Sequence, residues 1–228
     1  MSEEQIKVLV RVLGKFQAAD ILRNLMLIGS PCLNFYRSHF GNPSGIPAAK
    51  PKDAGFLIPD QAKFGGGMDV DVPGALRELG FAPVYNRAEG LEVYEHPELR
   101  VEFFIAETGK VLERPQDIRK LRVKAQCLRY LDFLAKYPLT ISYEGVNFSV
   151  PEPAAFALHK LIVSSRSERE EKANIDLESA FGLLDYLYSR PDEAVRIKAV
   201  TEKLPQAWLK TIRLVAEKRY PKLNETIG

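Results

Sequence analysis

Cysteine is scarce in this chain, and its scarcity removes several chemistries at once. Cys32 and Cys127 are the only two among 228 residues. They stand too far apart in sequence to make a metal-ligand spacing, and each reads as a small apolar core residue. Histidine is nearly as rare: His39, His96 and His159 have no partners at the spacing zinc requires. No Gly-x-Ser-x-Gly elbow and no Cys/His arrangement points to a hydrolase nucleophile. An excess of one charge is missing too. The 32 Lys and Arg against 30 Asp and Glu leave a net charge of +2. That argues against a dedicated nucleic-acid coat, whose affinity grows with the number of phosphates neutralised. No apolar run approaches the roughly 20 residues of a membrane helix. The start, Met1-Ser2-Glu3-Glu4-Gln5, lacks the basic residues and apolar block of a secretory signal. The expectation is a soluble cytoplasmic protein that engages no membrane.

What is present suffices for a good core: 46% of the residues are hydrophobic. Residues 3–26 carry Ile6, Leu9, Val10, Leu13, Phe16 and Leu22 at helical spacing behind Ser2, Glu3 and Glu4, which predicts one long amphipathic helix. Leu25 to Ser30 reads as a short buried strand meeting a turn, and 34–40 as a helix. Residues 41–51 are a Pro/Gly/Ala loop without periodicity, 55–59 a short strand, and 60–67 a loop ending in three glycines. That glycine run is not a phosphate loop, because no Gly-Lys-Ser/Thr follows it. Pro73 to Leu79 predicts a helix with proline in its first turn and Gly80 at its end. Period-two patterning then predicts adjacent antiparallel strands at 83–85, 91–94 and 99–105, with turns at 86–90 and 96–98. A hairpin is expected at 139–143 and 146–150 around Glu144-Gly145. Beyond Pro151 the pattern is helical at 153–165, 170–189, 192–203 and 206–218. The fold class is therefore α+β, a mixed domain over residues 1–150 followed by a helical region over 151–228. Between Arg196 and Lys222 eight cations face only Glu202 and Glu217. This run is a solvated helical face or, more sharply, an RNA-contacting flank.

Three segments hold the residues with chemistry. They are Leu27-Ile28-Gly29-Ser30, Asp53-Ala54-Gly55-Phe56-Leu57-Ile58 and Arg100-Val101-Glu102-Phe103-Phe104. Backbone N–H groups and the hydroxyl of a Gly-Ser turn bind phosphate. Carboxylates on neighbouring strands hold divalent ions, and Mg²⁺ takes oxygen ligands while keeping several waters. An acid-x-acid pair on a strand would aim both side chains at one face. Glu102 could also simply face water on an alternating strand. A second apolar-flanked Asp-x-Asp exists at Met68-Asp69-Val70-Asp71-Val72; its plainer reading makes Asp71 a helix cap.

In that order the three segments resemble the active-site layout of the nucleotidyltransferase superfamily, with Gly55 standing where the second acid of the pair would be. The stretch Pro73 to Phe81, the run Val150-Pro151-Glu152-Pro153-Ala154-Ala155-Phe156-Ala157-Leu158-His159-Lys160-Leu161, Arg166, Lys172 and Asp176-Leu177 extend the resemblance. They are similar to a bacterial nucleotidyltransferase-like family related to the type IV toxin–antitoxin nucleotidyltransferases. The resemblance covers about residues 25 to 188. It implies a nucleotidyltransferase-like mixed β-sheet flanked by helices, with an NTP as substrate, Mg²⁺ as cofactor and an RNA, protein or small-molecule hydroxyl as acceptor. By it Asp53 and Glu102 hold metal, Gly29, Ser30 and Lys160 hold the nucleotide phosphates, and Asp176 shapes the pocket. From the residues alone, a snorkelling lysine is the common explanation of Lys160, and an i,i+4 ion pair with Lys172 is a plain alternative for Asp176. Gly55 leaves two functions open: a Mg²⁺-dependent nucleotidyltransferase, or a degenerate relative that binds nucleotide or a protein partner without turnover. Gly55→Asp is the substitution expected to separate them.

Overall fold

A computed structural model describes residues 2–49, 52–60, 69–86, 90–107, 114–165 and 170–217, together with Tyr220 and Leu223. The glycine run at 65–67, Met68, Arg166 and the cations at 218, 219 and 222 lie outside the described residues. The chain divides into two compact units, residues 1–35 with 48–151 and residues 36–47 with 152–228. Among the described residues no helix is long and apolar enough to cross a membrane.

The first unit opens with helix α1 (Glu3–Ala18), set by a capping box. The Ser2 hydroxyl accepts from the Gln5 N–H at 3.1 Å, and the Ser2 N–H donates to Gln5 Oε1 at 2.9 Å. Val8, Leu9, Val12, Leu13 and Phe16 form its buried stripe. The helix stops at Ala18, well short of residue 26. Asp20 takes a left-handed φ of 58°. The Ile21 N–H reaches back to the Phe16 carbonyl and the Asp20 N–H to that of Gln17. This is a Schellman ending with aspartate in the place glycine usually takes, so no glycine marks the stop.

Among the described residues the strands are β1 (Met26–Ile28), β2 (Asp53–Ile58), β3 (Ala82–Asn86), β4 (Leu91–Glu95), β5 (Arg100–Ala106), β6 (Gln116–Ile118), β7 (Val123–Leu128), β8 (Pro138–Tyr143) and β9 (Val146–Pro151). Their order is β3-β4-β5-β2-β1-β9-β8, with β7 also paired to β5 and carrying β6. The sheet is mixed: β2 and β5 run parallel, as do β1 and β9, while β1 and β2 run antiparallel. Strands β3 and β8 end the main path, and each contains a proline, Pro83 and Pro138; β6 is the edge of the branch that β7 makes from β5. The hairpin expected at 139–150 is present. Its turn residues Glu144 and Gly145 both have positive φ, 48° and 79°, as a type I′ turn requires.

One sheet face packs on α1. Phe16 meets Phe56 at 5.2 Å edge-on and Phe103 at 6.3 Å, and all three are buried. Strand alternation puts Phe56 and Phe103 on this face and therefore Asp53, Gly55 and Glu102 on the other. The unit also holds the short helices α3 (Val72–Glu78), placed between β2 and β3 in sequence, and α4 (Leu131–Ala135) between β7 and β8.

The second unit holds the C-terminal helices α5 (Pro153–Ser164), α6 (Glu170–Tyr188), α7 (Pro191–Thr201) and α8 (Gln206–Ala216). Helix α5 is buried nearly all round, from Ala154 through Leu158 and again at Leu161 and Ile162. Residues 36–47 belong to this unit. They start in the second half of helix α2 (Pro31–His39), and the Tyr36 ring packs edge-on against Phe156 at 5.5 Å. Phe40 meets Tyr186 at 5.2 Å. Gly45 and Gly182 are the close-approach points: a side chain at 45 would strike Tyr186, and one at 182 would strike Pro47.

Candidate active site

Strand β1 ends at Ile28, and Gly29 turns the chain with a left-handed φ of 84° that suits glycine. Ser30 follows, and Pro31 opens α2, the first-turn position where a missing N–H costs nothing. The turn is held by Cys32 and Leu33, whose N–H groups donate to the carbonyls of Gly29 and Ser30 at 3.1 and 3.2 Å.

Antiparallel pairing sets Ile28 opposite Gly55, and parallel pairing sets Gly55 opposite Glu102. Ile28, Gly55 and Glu102 therefore form one row across three strands. Asp53 opens β2 opposite Arg100, which opens β5. The Gly29-Ser30 turn, Asp53 and Glu102 thus gather at one end of the sheet, and the two acids share a face. Asp53 belongs to β2, which starts two residues before the strand expected at 55–59.

Arg100 lies among the acids. Its guanidinium donates to Glu95 Oε1 at 2.8 Å and stands 3.9 Å from Asp53 Oδ1 and 4.0 Å from Glu102 Oε1. Partial burial works against its charge. The hydrogen bond to Glu95 and the charges of Asp53, Glu95 and Glu102 outweigh this and hold its pKa above the ordinary arginine value. Behind Arg100 the strand pairing brings Phe104 and Ile28 close over Gly55. A Cβ added to Gly55 would meet Cε2 of Phe104 at 2.8 Å and Cγ1 of Ile28 at 3.1 Å. The ring of Phe104, itself 9% exposed, fills that space. Arg100 and Phe104 appeared in the sequence only as flanks of Glu102. Their roles depend on the β2–β5 register, which no local pattern announces.

Two carboxylates on one face of adjacent strands suit a single divalent ion whose other positions go to water and phosphate. They fall short of the pair of sites that three acids would make. Among the described residues no three His, Cys, Asp or Glu side chains converge in a metal-holding group.

Lys160 and Asp176 meet each other inside the second unit. The Lys160 ammonium lies 2.5 Å from Asp176 Oδ1 and 5.6 Å from the centre of the Phe156 ring. Both residues are buried, so Lys160 does not snorkel to water. The i,i+4 partner expected for Asp176, Lys172, is not what it bonds here. At the N-cap of α5, Glu152 accepts from Arg196 at 2.7 Å while its second oxygen is buried without a partner. His159 keeps part of its surface open, but its Nε2 is buried and has no hydrogen-bond partner. Burial, and next the Lys160 charge, push its pKa down to about 3.

The alternative Asp-x-Asp resolves as a cap. The Asp71 carboxylate accepts from the Gly74 N–H at 3.1 Å at the start of α3, and Asp69 pairs with Lys120 at 3.4 Å.

A family model described as nucleotidyltransferase matches residues 7–202. The chain is similar in fold to the crystal structure of an antigenic nucleotidyltransferase-like protein from Paracoccidioides brasiliensis, with a TM-score of 0.54 and 13% identity over 100% of this chain and 94% of that one. The solution structure of the antibiotic-resistance factor ANT(2'')-Ia also matches, with a TM-score of 0.45 and 10% identity over 99% and 97% of the two chains. No curated protein matches by sequence. The α+β architecture with a mixed sheet flanked by helices is thus a nucleotidyltransferase-like fold. With most of its length matched by the family model, the chain belongs to a nucleotidyltransferase family.

Proposed function

We propose that this protein transfers a nucleotidyl group from an NTP to an acceptor hydroxyl, on an RNA, a protein or a small molecule, at the sheet end that carries Gly29, Ser30, Asp53 and Glu102. The observation that carries the reading is the shared face: Asp53 and Glu102 project on the same side of two paired strands, beside the turn that leaves β1. In the reaction the acceptor hydroxyl oxygen forms a bond to the α-phosphorus, its proton passes to water, and the bond to the departing pyrophosphate breaks. The Gly29-Ser30 turn offers backbone N–H groups and a hydroxyl to the triphosphate. Asp53 and Glu102 would hold Mg²⁺, which supplies charge neutralisation for the developing phosphate oxygens when bound. The acids themselves orient that charge and keep the acceptor end of the site polar.

A second reading has its own observation. Phe104 fills the space of the absent acid at Gly55, and losing a preorganised electrostatic group costs such chemistry several kcal/mol. On this reading the protein binds nucleotide, or a protein partner, without turnover. Calorimetry with each NTP, with and without Mg²⁺, tests both on the protein and on Asp53→Ala. Mg²⁺-dependent binding that Asp53→Ala abolishes, accompanied by pyrophosphate release, supports transfer. Binding without pyrophosphate release, with RNA, protein and small-molecule hydroxyls supplied as acceptors, supports the second reading; no binding of any NTP overturns transfer and leaves only the protein partner of the second reading.

A further inference from the structure

The charge arrangement around Arg100 has a use beyond holding two strands together. Three acids from three adjacent strands surround it: Asp53 on β2, Glu95 on β4 and Glu102 on β5. Among the described residues, Glu95 holds it within hydrogen-bond distance, at 2.8 Å. The contacts to Asp53 and Glu102, 3.9 and 4.0 Å, are at the outer limit of ion pairing. The guanidinium is thus tethered from one side and leans loosely on the two acids that the family reading assigns to metal. Its side chain is 44% exposed, so it has room to move without disturbing the core.

We infer that Arg100 is the resident cation of this face: its guanidinium neutralises Asp53 and Glu102 until a divalent ion displaces it, and the displaced guanidinium then takes a phosphate oxygen of the incoming nucleotide. The inference rests on the reading that nucleotide binds at this end of the sheet. The exchange is balanced in charge. The metal's two positive charges replace one beside Asp53 and Glu102, and the freed guanidinium matches the triphosphate, for which its planar donor fork is suited. The Glu95 tether keeps it within the site throughout. Divalent metal alone must therefore compete with a covalently supplied cation, and it binds weakly without nucleotide. Because the pair is exposed and screened, the competition is worth a modest factor and not an absolute block.

The test titrates Mn²⁺ alone, followed by electron paramagnetic resonance, into the full chain, Arg100→Gln, and Arg100→Gln with Asp53→Asn. Circular dichroism checks that all three are folded. Arg100→Gln is expected to bind Mn²⁺ roughly tenfold more tightly than the parent, and Asp53→Asn is expected to remove that gain. Equal Mn²⁺ affinity in parent and Arg100→Gln overturns the inference, as does a gain that survives Asp53→Asn. Should Arg100→Gln unfold, Arg100→Lys, which keeps the charge but loses the fork, serves instead. It is expected to bind Mn²⁺ as weakly as the parent while losing NTP affinity, and a parent-like NTP affinity would overturn the inference. The proposed function is read separately, by NTP calorimetry on the parent. An Arg100→Gln gain without NTP binding leaves the resident cation standing and sinks the nucleotide reading; NTP binding without the gain does the reverse.

Discussion

The ring of Phe104 occupies the space that any side chain on Gly55 would need. An ideal Cβ at 55 falls 2.8 Å from Cε2 of Phe104, closer than real Cβ contacts come. Gly55→Asp therefore does not simply restore an acid. Forcing a side chain into this packed row is expected to cost about 1–3 kcal/mol, with the added burden of a poorly solvated carboxylate. Urea unfolding should show Gly55→Asp less stable than the parent, and less harmful in a Phe104→Ala background than in the parent, where the ring is present. Equal effects in the two backgrounds would mean the ring yields without cost.

The Lys160–Asp176 pair gives a second prediction. Both groups are buried and 2.5 Å apart, so removing either leaves an uncompensated charge. Asp176→Ala is expected to destabilise by about 3–5 kcal/mol, whereas Lys160→Met with Asp176→Leu recovers most of that loss. NTP affinity is best measured in this double variant. A loss there, in a protein of near-parent stability, assigns the pair to binding; parent-like affinity assigns it to structure alone.

His159 sets an acid limit on stability. Its folded pKa is held near 3, below the ordinary 6.5, by burial and the neighbouring Lys160 charge. The folded protein keeps the ring neutral while the unfolded chain takes up a proton below about pH 6.5. Stability is therefore intact above pH 6.5 and lost as pH falls toward 3, with a slope of up to about 1.4 kcal/mol per pH unit from this group. His159→Leu should flatten that part of the profile in thermal melts between pH 6.5 and 4. An unchanged slope would place the acid sensitivity elsewhere.

Asp71 separates a cap from a catalyst. Its carboxylate bonds the Gly74 N–H at the start of α3 and lies 3.9 Å from Arg122. Asp71→Ala is expected to cost about 1 kcal/mol of stability and to leave Mg²⁺-dependent NTP binding at the parent value. A loss of binding with the fold intact would return the Asp69-Val70-Asp71 motif to consideration.

Much of the fold was legible because its signals are local. The capping residues at Ser2, the period-two runs at 91–105, the Glu144-Gly145 turn and the four C-terminal helices all sit in short windows of sequence. What escaped has non-local or atypical causes. Strands β6 and β7 and helix α4 went unexpected over residues 107–138. The strands are short, and their pairing with each other and with β5 supplies the order that Val123, Lys124, Ala125 and Gln126 do not signal. The end of α1 was hidden because Asp20, not glycine, takes the left-handed position. In the site, Asp53 and Glu102 were visible as residue types, and their common face follows from the β2–β5 register. Arg100 between them and Phe104 over Gly55 were not, since both relations depend on strands 40 and more residues apart in sequence meeting side by side.

The prolines in the two strands that end the main path have a consequence for behaviour in concentrated solution. An open rim of a sheet is a template on which another copy can lay its own strand, and Val84 and Tyr85, 40% and 51% exposed, make the β3 rim sticky. Pro83 and Pro138 each remove an N–H from a rim, so a ladder of hydrogen bonds growing from either side meets a gap. Growth by strand addition is thereby interrupted at the two ends of the main strand path, and the exposed pair on β3 sits beside a gap in its own ladder.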